Sequence, residues 1–305
     1  MTGGAGNMGR RLAAALAAGG YQVRVLCLPG EKGAGTGSIQ TAFGDITDKA
    51  SLAPALRGVE TVFHLAAVLL APGHEEVFQA VNAEGTGNLV SEAEAAGVRH
   101  FIYVSSISVE YPRSNAYARS KAQGEERVRA SRLAYTIVRP TLAYEDGGAL
   151  EFMALVAHAR RGPMVLLPAG GWALKSPVHI GDLVKGFLAL PGNPKTLGKT
   201  YVFSGGDALS LRDMTRLLLL HMGRVKPIIG VPAWICLLGA GILWLVCKAT
   251  GMKNAFTYQT YTGLVQDAAP SHRAATDDLG YRPRPFREGL ATLDSLRDCL
   301  RKGSP

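Results

Sequence analysis

Residues 2–9 read Thr2-Gly3-Gly4-Ala5-Gly6-Asn7-Met8-Gly9, with glycines at 3, 6 and 9 running straight into an alanine-rich helical stretch that reaches residue 20. Each glycine has its own physical reason. Gly3 permits a tight turn, Gly6 lets a pyrophosphate approach the backbone, and Gly9 lets the helix pack closely on a sheet. The helix N-terminus then presents unpaired N–H groups to phosphate oxygens. A glycine triplet alone is a weak signal, and its weight depends on the elements downstream of it.

Downstream, strands and helices alternate. The helix over 9–20 ends at Gly19-Gly20, and QVRVLCL at 22–28 reads as a buried strand. Strand-like runs recur at 39–43, 61–65, 101–105 and 134–139, with helical stretches over roughly 75–97 and 115–131. This order implies a parallel sheet with right-handed crossovers, a doubly wound α/β fold. From about residue 141 the alternation loosens, so a dinucleotide-binding domain over 1–140 and a smaller substrate lobe over 141–305 are expected, with some elements of the lobe returning to the first domain.

Composition narrows the function classes. The 305 residues, 47% apolar and 19% charged, are enough for a sizeable core and too apolar for disorder. The net charge of +9 is spread along the chain, without a Lys/Arg block or a basic-aromatic stripe, which argues against nucleic acid. A diffuse positive surface suits an anionic small molecule or an anionic membrane face. Cys27, Cys236, Cys247 and Cys299 lack ligand-like spacing and read as reduced packing residues, with no metal site expected. With no signal-peptide pattern ahead of the glycine turn, a cytoplasmic protein is expected.

One segment departs from this pattern. From Ile228 to Cys247 there is no charged residue, a run long enough for a membrane span but interrupted by Pro232, Gly239 and Gly241. It is expected to cap an apolar pocket or dip into a membrane surface rather than cross it. Trp234 and Trp244 would be pocket wall or interfacial anchors.

The chemistry-bearing segment is Tyr117-Ala118-Arg119-Ser120-Lys121. On a helix, Tyr117 and Lys121 lie one turn apart on the same face. An ammonium there favours the phenolate, bringing a phenol with an ordinary pKa near 10 toward working range as a general acid/base. Ser106, at the end of the strand before it, can hold a substrate oxygen beside Tyr117. His179 reads as structural, within a strand, with Asp182 capping the following helix.

On these motifs the chain resembles the extended short-chain dehydrogenase/reductase family, in the NAD-dependent epimerase/dehydratase and 3β-hydroxysteroid-dehydrogenase-like branch. The resemblance covers nearly the whole chain: TGGAGNMG at 2–9, GDITD at 44–48, FHLAA at 63–67, NAEGTGN at 82–88, YVSSISV at 103–109, YARSK at 117–121, RPT at 139–141, SPVHIGDL at 176–183 and DLGYRPRPF at 278–286. It implies a Rossmann-type fold, NAD or NADP as cofactor, and Ser106, Tyr117 and Lys121 as catalytic residues. It also implies a dinucleotide site at Gly3, Gly6, Asn7, Met8 and Gly9. Asp45 and Ile46 would flank the adenine, Ala66 and Ala67 would lie beside the dinucleotide, Asn82 would support the nicotinamide end, and Pro140 and Thr141 would meet the carboxamide. Tyr117 and Lys121 would also touch the cofactor.

Three departures from the family pattern matter. Cys27 stands where an acid would hold a ribose hydroxyl, and no Arg replaces it, so NAD and NADP both stay open. After Arg139-Pro140 this chain has Thr141 and Tyr144-Glu145-Asp146 where many nucleotide-sugar epimerases have Asn and Gly-Pro. Nothing precedes Met1 where the family has a hydrophobic first strand, so a gap between the strands at 22–28 and 61–65 is expected, with the natural start several residues upstream.

The expected activity is hydride transfer at a secondary alcohol or ketone carbon, in a simple dehydrogenase or an epimerase. The substrate is expected to be a nucleotide-sugar, with a 3β-hydroxysteroid or lipid-linked alcohol as the alternative, and a non-catalytic cofactor-binding assembly subunit as a third reading. Peripheral membrane contact through 228–247 and a homodimer are compatible with the pattern.

Overall fold

The computed structural model describes residues 1–297 apart from 32, 34–36, 72–73, 147–149 and 251–257, and omits the side chains of 150, 240, 242–249, 258–260 and 297. Trp244, Cys247 and Cys299 therefore lie outside the described side chains. Helix α1 (Asn7–Ala18) starts at Gly6 and ends at Gly19, burying Leu12, Ala13 and Leu16. Strands β1 (Val23–Cys27), β2 (Ile39–Phe43), β3 (Thr61–His64), β4 (His100–Val104), β5 (Tyr135–Pro140) and β6 (Lys199–Phe203) are all parallel to their partners. Pairing runs β2–β1 on one side and β3–β4–β5–β6 on the other.

The expected gap between β1 and β3 is partly filled. Met1 and Thr2 lie in it, with Leu26 N–H donating to Met1 O at 2.8 Å and Thr2 N–H to Phe63 O at 2.9 Å. Thr2 forms parallel bridges to both Leu26 and His64. The two half-sheets are thus joined where the glycine turn begins. Beyond this stub the slot is apolar, lined by Leu26, Leu52, Leu56, Val59, Val62 and Leu89. The Met1 amine sits in it and donates to Arg24 O at 2.7 Å, and burial pushes its pKa down to about 5.

Both faces of the sheet are covered, which explains why its central strands are apolar without alternation. All five residues of β4 are buried. Ile102 and Val104 join Val25, Phe63, Val138, Phe187 and Leu12 on one face. Phe101 and Tyr103 join Leu52, Leu89, Val128 and Ile137 on the other. The helical stretch at 75–95 is continuous but not uniform: a π-helical segment over Gln79–Glu84 precedes α2 (Gly85–Ala95). Helix α3 is Ala116–Arg129 and α4 is Ile180–Leu188, and both stay close to the main sheet with β6.

The remaining elements form a third core around Tyr144, Phe152, Val156, Met214 and Phe286. Here the apolar run at 228–247 is not one helix. Ile228–Val231 is a strand paired parallel with Val165–Pro168, and helix α5 (Ala233–Thr250) comes after it. Pro232 separates them because proline cannot donate to a ladder and is tolerated in the first turn of a helix. Among the described residues no helix is long and apolar enough to cross a membrane.

The start of α4 also differs from expectation. Its cap is His179, whose Nδ1 accepts from Gly181 N–H at 3.0 Å. Asp182 instead holds Arg284, accepting from its Nε and Nη2, both at 2.8 Å, and from its backbone N–H at 3.0 Å. His179 closes the two-residue strand Val178–His179 and caps the helix that follows. The acid three residues on ties the segment carrying Arg284 to the first turn of α4.

Candidate active site

The glycine turn is constrained on three sides. Gly3 has φ +67°, and a Cβ there would come within 2.7 Å of Ala66 N. A Cβ on Gly9 would meet Gly3 O at 2.1 Å, and one on Gly4 would meet Val25 Cγ1 at 2.5 Å. Gly9 therefore seats α1 on the turn itself more than on the sheet, and Gly4, not singled out in the sequence, is as necessary. Gly6 is different: its nearest neighbour is Gly3 O at 3.3 Å, so the space over it is open to a ligand. The first turn of α1 carries no acid and its N-cap supplies no side-chain bond, leaving its N–H groups for an anion. The cradle fits a pyrophosphate. Asn7 accepts from Arg10 Nη2 at 2.7 Å, and Met8 packs on the core under the turn.

A buried polar chain ties this turn to the opposite wall. Ala66 N–H donates to Thr2 Oγ1 at 3.1 Å, Thr2 Oγ1 lies 2.7 Å from His64 Nδ1, and His64 Nε2 lies 2.9 Å from Thr86 Oγ1. Thr86 donates its only proton to Asn82 O at 2.7 Å. It must therefore accept from His64 Nε2–H, which leaves Nδ1 to accept from Thr2. The ring is neutral, and burial, helped by the Lys121 ammonium, holds its pKa well below the usual value.

Asn82 is fully buried. Its amide accepts from Val68 N–H at 2.8 Å and donates to Val68 O at 3.0 Å and Ser120 Oγ at 3.1 Å. It thus fixes the loop after β3, which holds Ala66 and Ala67, against α3. Asn82 lies within the π-helical segment Gln79–Glu84. Asp45 accepts from Thr47 N–H at 2.9 Å in a tight turn, and Ile46 is buried against Gly85 with its carbonyl bound by Asn88. Thr141 spends its hydroxyl on Ser176 O and its N–H on Phe203 O. Pro140 precedes it, half-buried, at the carboxyl end of β5.

Ser106, Tyr117 and Lys121 converge at the carboxyl end of β4. Asn115 caps α3 by accepting from Ala118 N–H at 2.8 Å, which sets the register of the helix. Ser106 caps the short 3-10 turn Ile107–Glu110, with Ser108 N–H at 3.2 Å and Ser108 Oγ at 2.9 Å from its oxygen. Burial and the nearby Glu151 carboxylate raise the Tyr117 phenol well above its usual value, and the hydrogen bond with Ser106 opposes this. Lys121 is 1% exposed, donates to Val104 O at 2.7 Å and lies 4.2 Å above the Tyr103 ring. Burial pushes its ammonium down to about 7, against the pull of Glu125. A neutral phenol beside a hydroxyl is placed to give a proton to a carbonyl oxygen.

Sequence reasoning missed the residues beneath this group. Glu125, one turn beyond Lys121, is gripped by Arg139 at 2.7 and 2.6 Å, and Arg139 reaches Glu110 at 2.5 Å. The spacing of Tyr117, Lys121 and Glu125 along one helix face was the available signal.

The family described as NAD(P)H-binding matches residues 3–159. A 3beta-hydroxysteroid-dehydrogenase/decarboxylase of Arabidopsis thaliana is 27% identical over 87% of this chain and 53% of its own, so the chain spans about half the length of that relative. A 3-beta-hydroxysteroid dehydrogenase of Mycolicibacterium neoaurum is 26% identical over 98% of this chain and 89% of its own. Among solved structures, a dTDP-glucose 4,6-dehydratase of Streptomyces venezuelae with NAD bound is 24% identical, with a TM-score of 0.75 over 99% of this chain and 96% of that one. These likenesses show a Rossmann-type fold.

Proposed function

The chain belongs to the NAD(P)H-binding family, matched over residues 3–159, and from that premise we propose reversible hydride transfer between NAD(P) and a secondary alcohol or ketone carbon. The observation that carries this reading is the placement of Tyr117 and Lys121 one turn apart on α3, with Lys121 buried and donating to Val104 O at 2.7 Å, at the end of the strand that leads to Ser106. Gly3, Gly6, Asn7, Met8 and Gly9 hold the pyrophosphate, with Asp45 and Ile46 toward the adenine and Ala66, Ala67, Pro140 and Thr141 along the rest. When bound, the cofactor supplies or accepts the hydride. In the reductive direction Tyr117 O–H gives its proton to the forming alkoxide, Ser106 steadies that oxygen, and the Lys121 ammonium stabilises the phenolate left behind. The oxidative direction reverses each transfer, and an epimerase performs both.

Two substrate classes are compatible with the lobe. The nucleotide-sugar reading draws support from structural neighbours such as the dehydratase above. A second reading, an apolar or lipid-linked alcohol met at a membrane surface, is favoured by α5. There Trp234 is 65% exposed and Leu238 58%, beside exposed Ile235 and Leu237. A helix presenting such a face with an indole suits the headgroup boundary. The names of the curated relatives lean the same way. The discriminating experiment is a screen of cofactor fluorescence against UDP-sugars and 3β-hydroxysteroids. Turnover of neither class, with NAD(P) bound, would leave the cofactor-binding assembly role standing and sink the catalytic one.

A further inference from the structure

We propose that Arg139 is a positioning residue that clamps the turn carrying Ser106 onto the helix carrying Tyr117 and Lys121, by bridging Glu110 and Glu125. The inference rests on the catalytic reading of those three residues and adds to it a part that sets their separation.

The geometry is specific. Arg139 stands at the end of β5, and all three of its guanidinium nitrogens are engaged. Nε and Nη2 form a fork on Glu125 at 2.7 and 2.6 Å, while Nη1 reaches Glu110 at 2.5 Å. Glu125 belongs to α3, four residues beyond Lys121 and eight beyond Tyr117, so it shares their face. Glu110 is the last residue of the single 3-10 turn whose first cap is Ser106. One planar, rigid group therefore spans the two elements that must meet for Ser106 to touch Tyr117. A lysine could reach one carboxylate but not reproduce the fork together with the third bond.

Burial gives the bridge its stiffness. The Glu125 side chain is 2% exposed and that of Arg139 18%. Glu125 also accepts from Arg129 Nη1 at 2.8 Å, so it stays paired when Arg139 is altered. Glu110 is half exposed and makes the outer arm. Removing that arm alone leaves the buried pair intact, which makes Glu110 the clean point of attack. The turn itself is tied internally through Ser108 to Ser106 Oγ. Freeing Glu110 lets the whole turn rotate and carries the Ser106 hydroxyl away from the phenol.

The test uses the full chain saturated with NAD⁺ and reads ionisation of Tyr117 by ultraviolet absorbance after rapid pH jumps, isolated by subtracting the Tyr117→Phe signal. The groups facing this phenol are Ser106 at the start of the 3-10 turn, Glu151 from the lobe helix Leu150–Arg160, Phe78 from the segment ahead of the π-helix, Tyr103 from β4 and Tyr111 just after the 3-10 turn. Ser106 lowers the midpoint by hydrogen bonding, so a loosened clamp must raise it. Losing the Glu110 carboxylate by charge alone would lower it, because a nearby negative charge disfavours phenolate. The sign therefore separates positioning from simple electrostatics.

Glu110→Ala and Arg139→Lys should each raise the midpoint by ~0.5 or more, about a threefold fall in the ionisation constant. In a Ser106→Ala background Glu110→Ala should produce no further rise. NAD⁺ affinity of Glu110→Ala should match the parent protein. An unchanged or lowered midpoint in Glu110→Ala, or an equal rise without Ser106, overturns the clamp. A Tyr117→Phe protein that turns over a verified substrate at the parent rate removes the catalytic reading itself, and the clamp with it.

Discussion

Lys121→Met should make the folded protein more stable at neutral pH while abolishing its chemistry. The Lys121 ammonium is 1% exposed and titrates at about 7 in the fold, against 10.5 for an ordinary lysine. At ~1.4 kcal/mol per pH unit, this gap represents a cost on the order of 5 kcal/mol for keeping the charged form buried. Below pH 7 both folded and unfolded chains are protonated there, and the fold bears the whole cost. Between 7 and 10.5 the unfolded chain holds a proton that the folded one has lost, so stability rises with pH. Methionine fills a similar volume without charge, but Val104 O loses its 2.7 Å donor, a loss of ~1–3 kcal/mol. The net gain is therefore roughly 2–4 kcal/mol near pH 6.5, shrinking steadily toward pH 10. Urea titrations of both proteins at pH 6.5, 8 and 9.5 measure it. Stability curves that stay parallel across this range would refute the burial argument, because a neutral or solvated Lys121 gives no such convergence.

Other consequences arise from the same geometry. Tyr117→Phe should lower turnover of a verified substrate by at least ~100-fold while leaving dinucleotide affinity intact, as measured by steady-state kinetics and calorimetry. Gly6→Val should abolish NAD and NADP binding in a calorimetric titration, since the space over Gly6 is bounded only by Gly3 O at 3.3 Å and is what the pyrophosphate would use. Paired Trp234→Ser and Leu238→Ser changes should cut sedimentation with anionic phosphatidylserine vesicles several-fold; unchanged binding would remove α5 from the membrane reading.

Most of the Rossmann half was legible because its signals are local. A strand buried on both faces reads as an unbroken apolar run, and the glycine turn is a backbone requirement that no other residue meets. The five strands from 23 to 140 lie within a residue or two of their expected positions for that reason. The lobe was less legible. The run at 228–247 is apolar in both its strand and its helix, so composition could not place the break that Pro232 makes.

The sequence by itself determined the fold class, the glycine turn and the placement of Tyr117 and Lys121 one turn apart on a single helix, since each depends on residues within one turn or one strand. Only the tertiary structure decided what surrounds them. Arg139 meets Glu110 and Glu125, 29 and 14 residues away. Arg284 meets Asp182 across 102 residues, and His64 passes one chain of hydrogen bonds from the start of the protein to Asn82. Such contacts leave no periodicity to read. They form because a buried charge or polar group must find a partner of matching geometry, and which partner lies within reach is settled by how the elements pack.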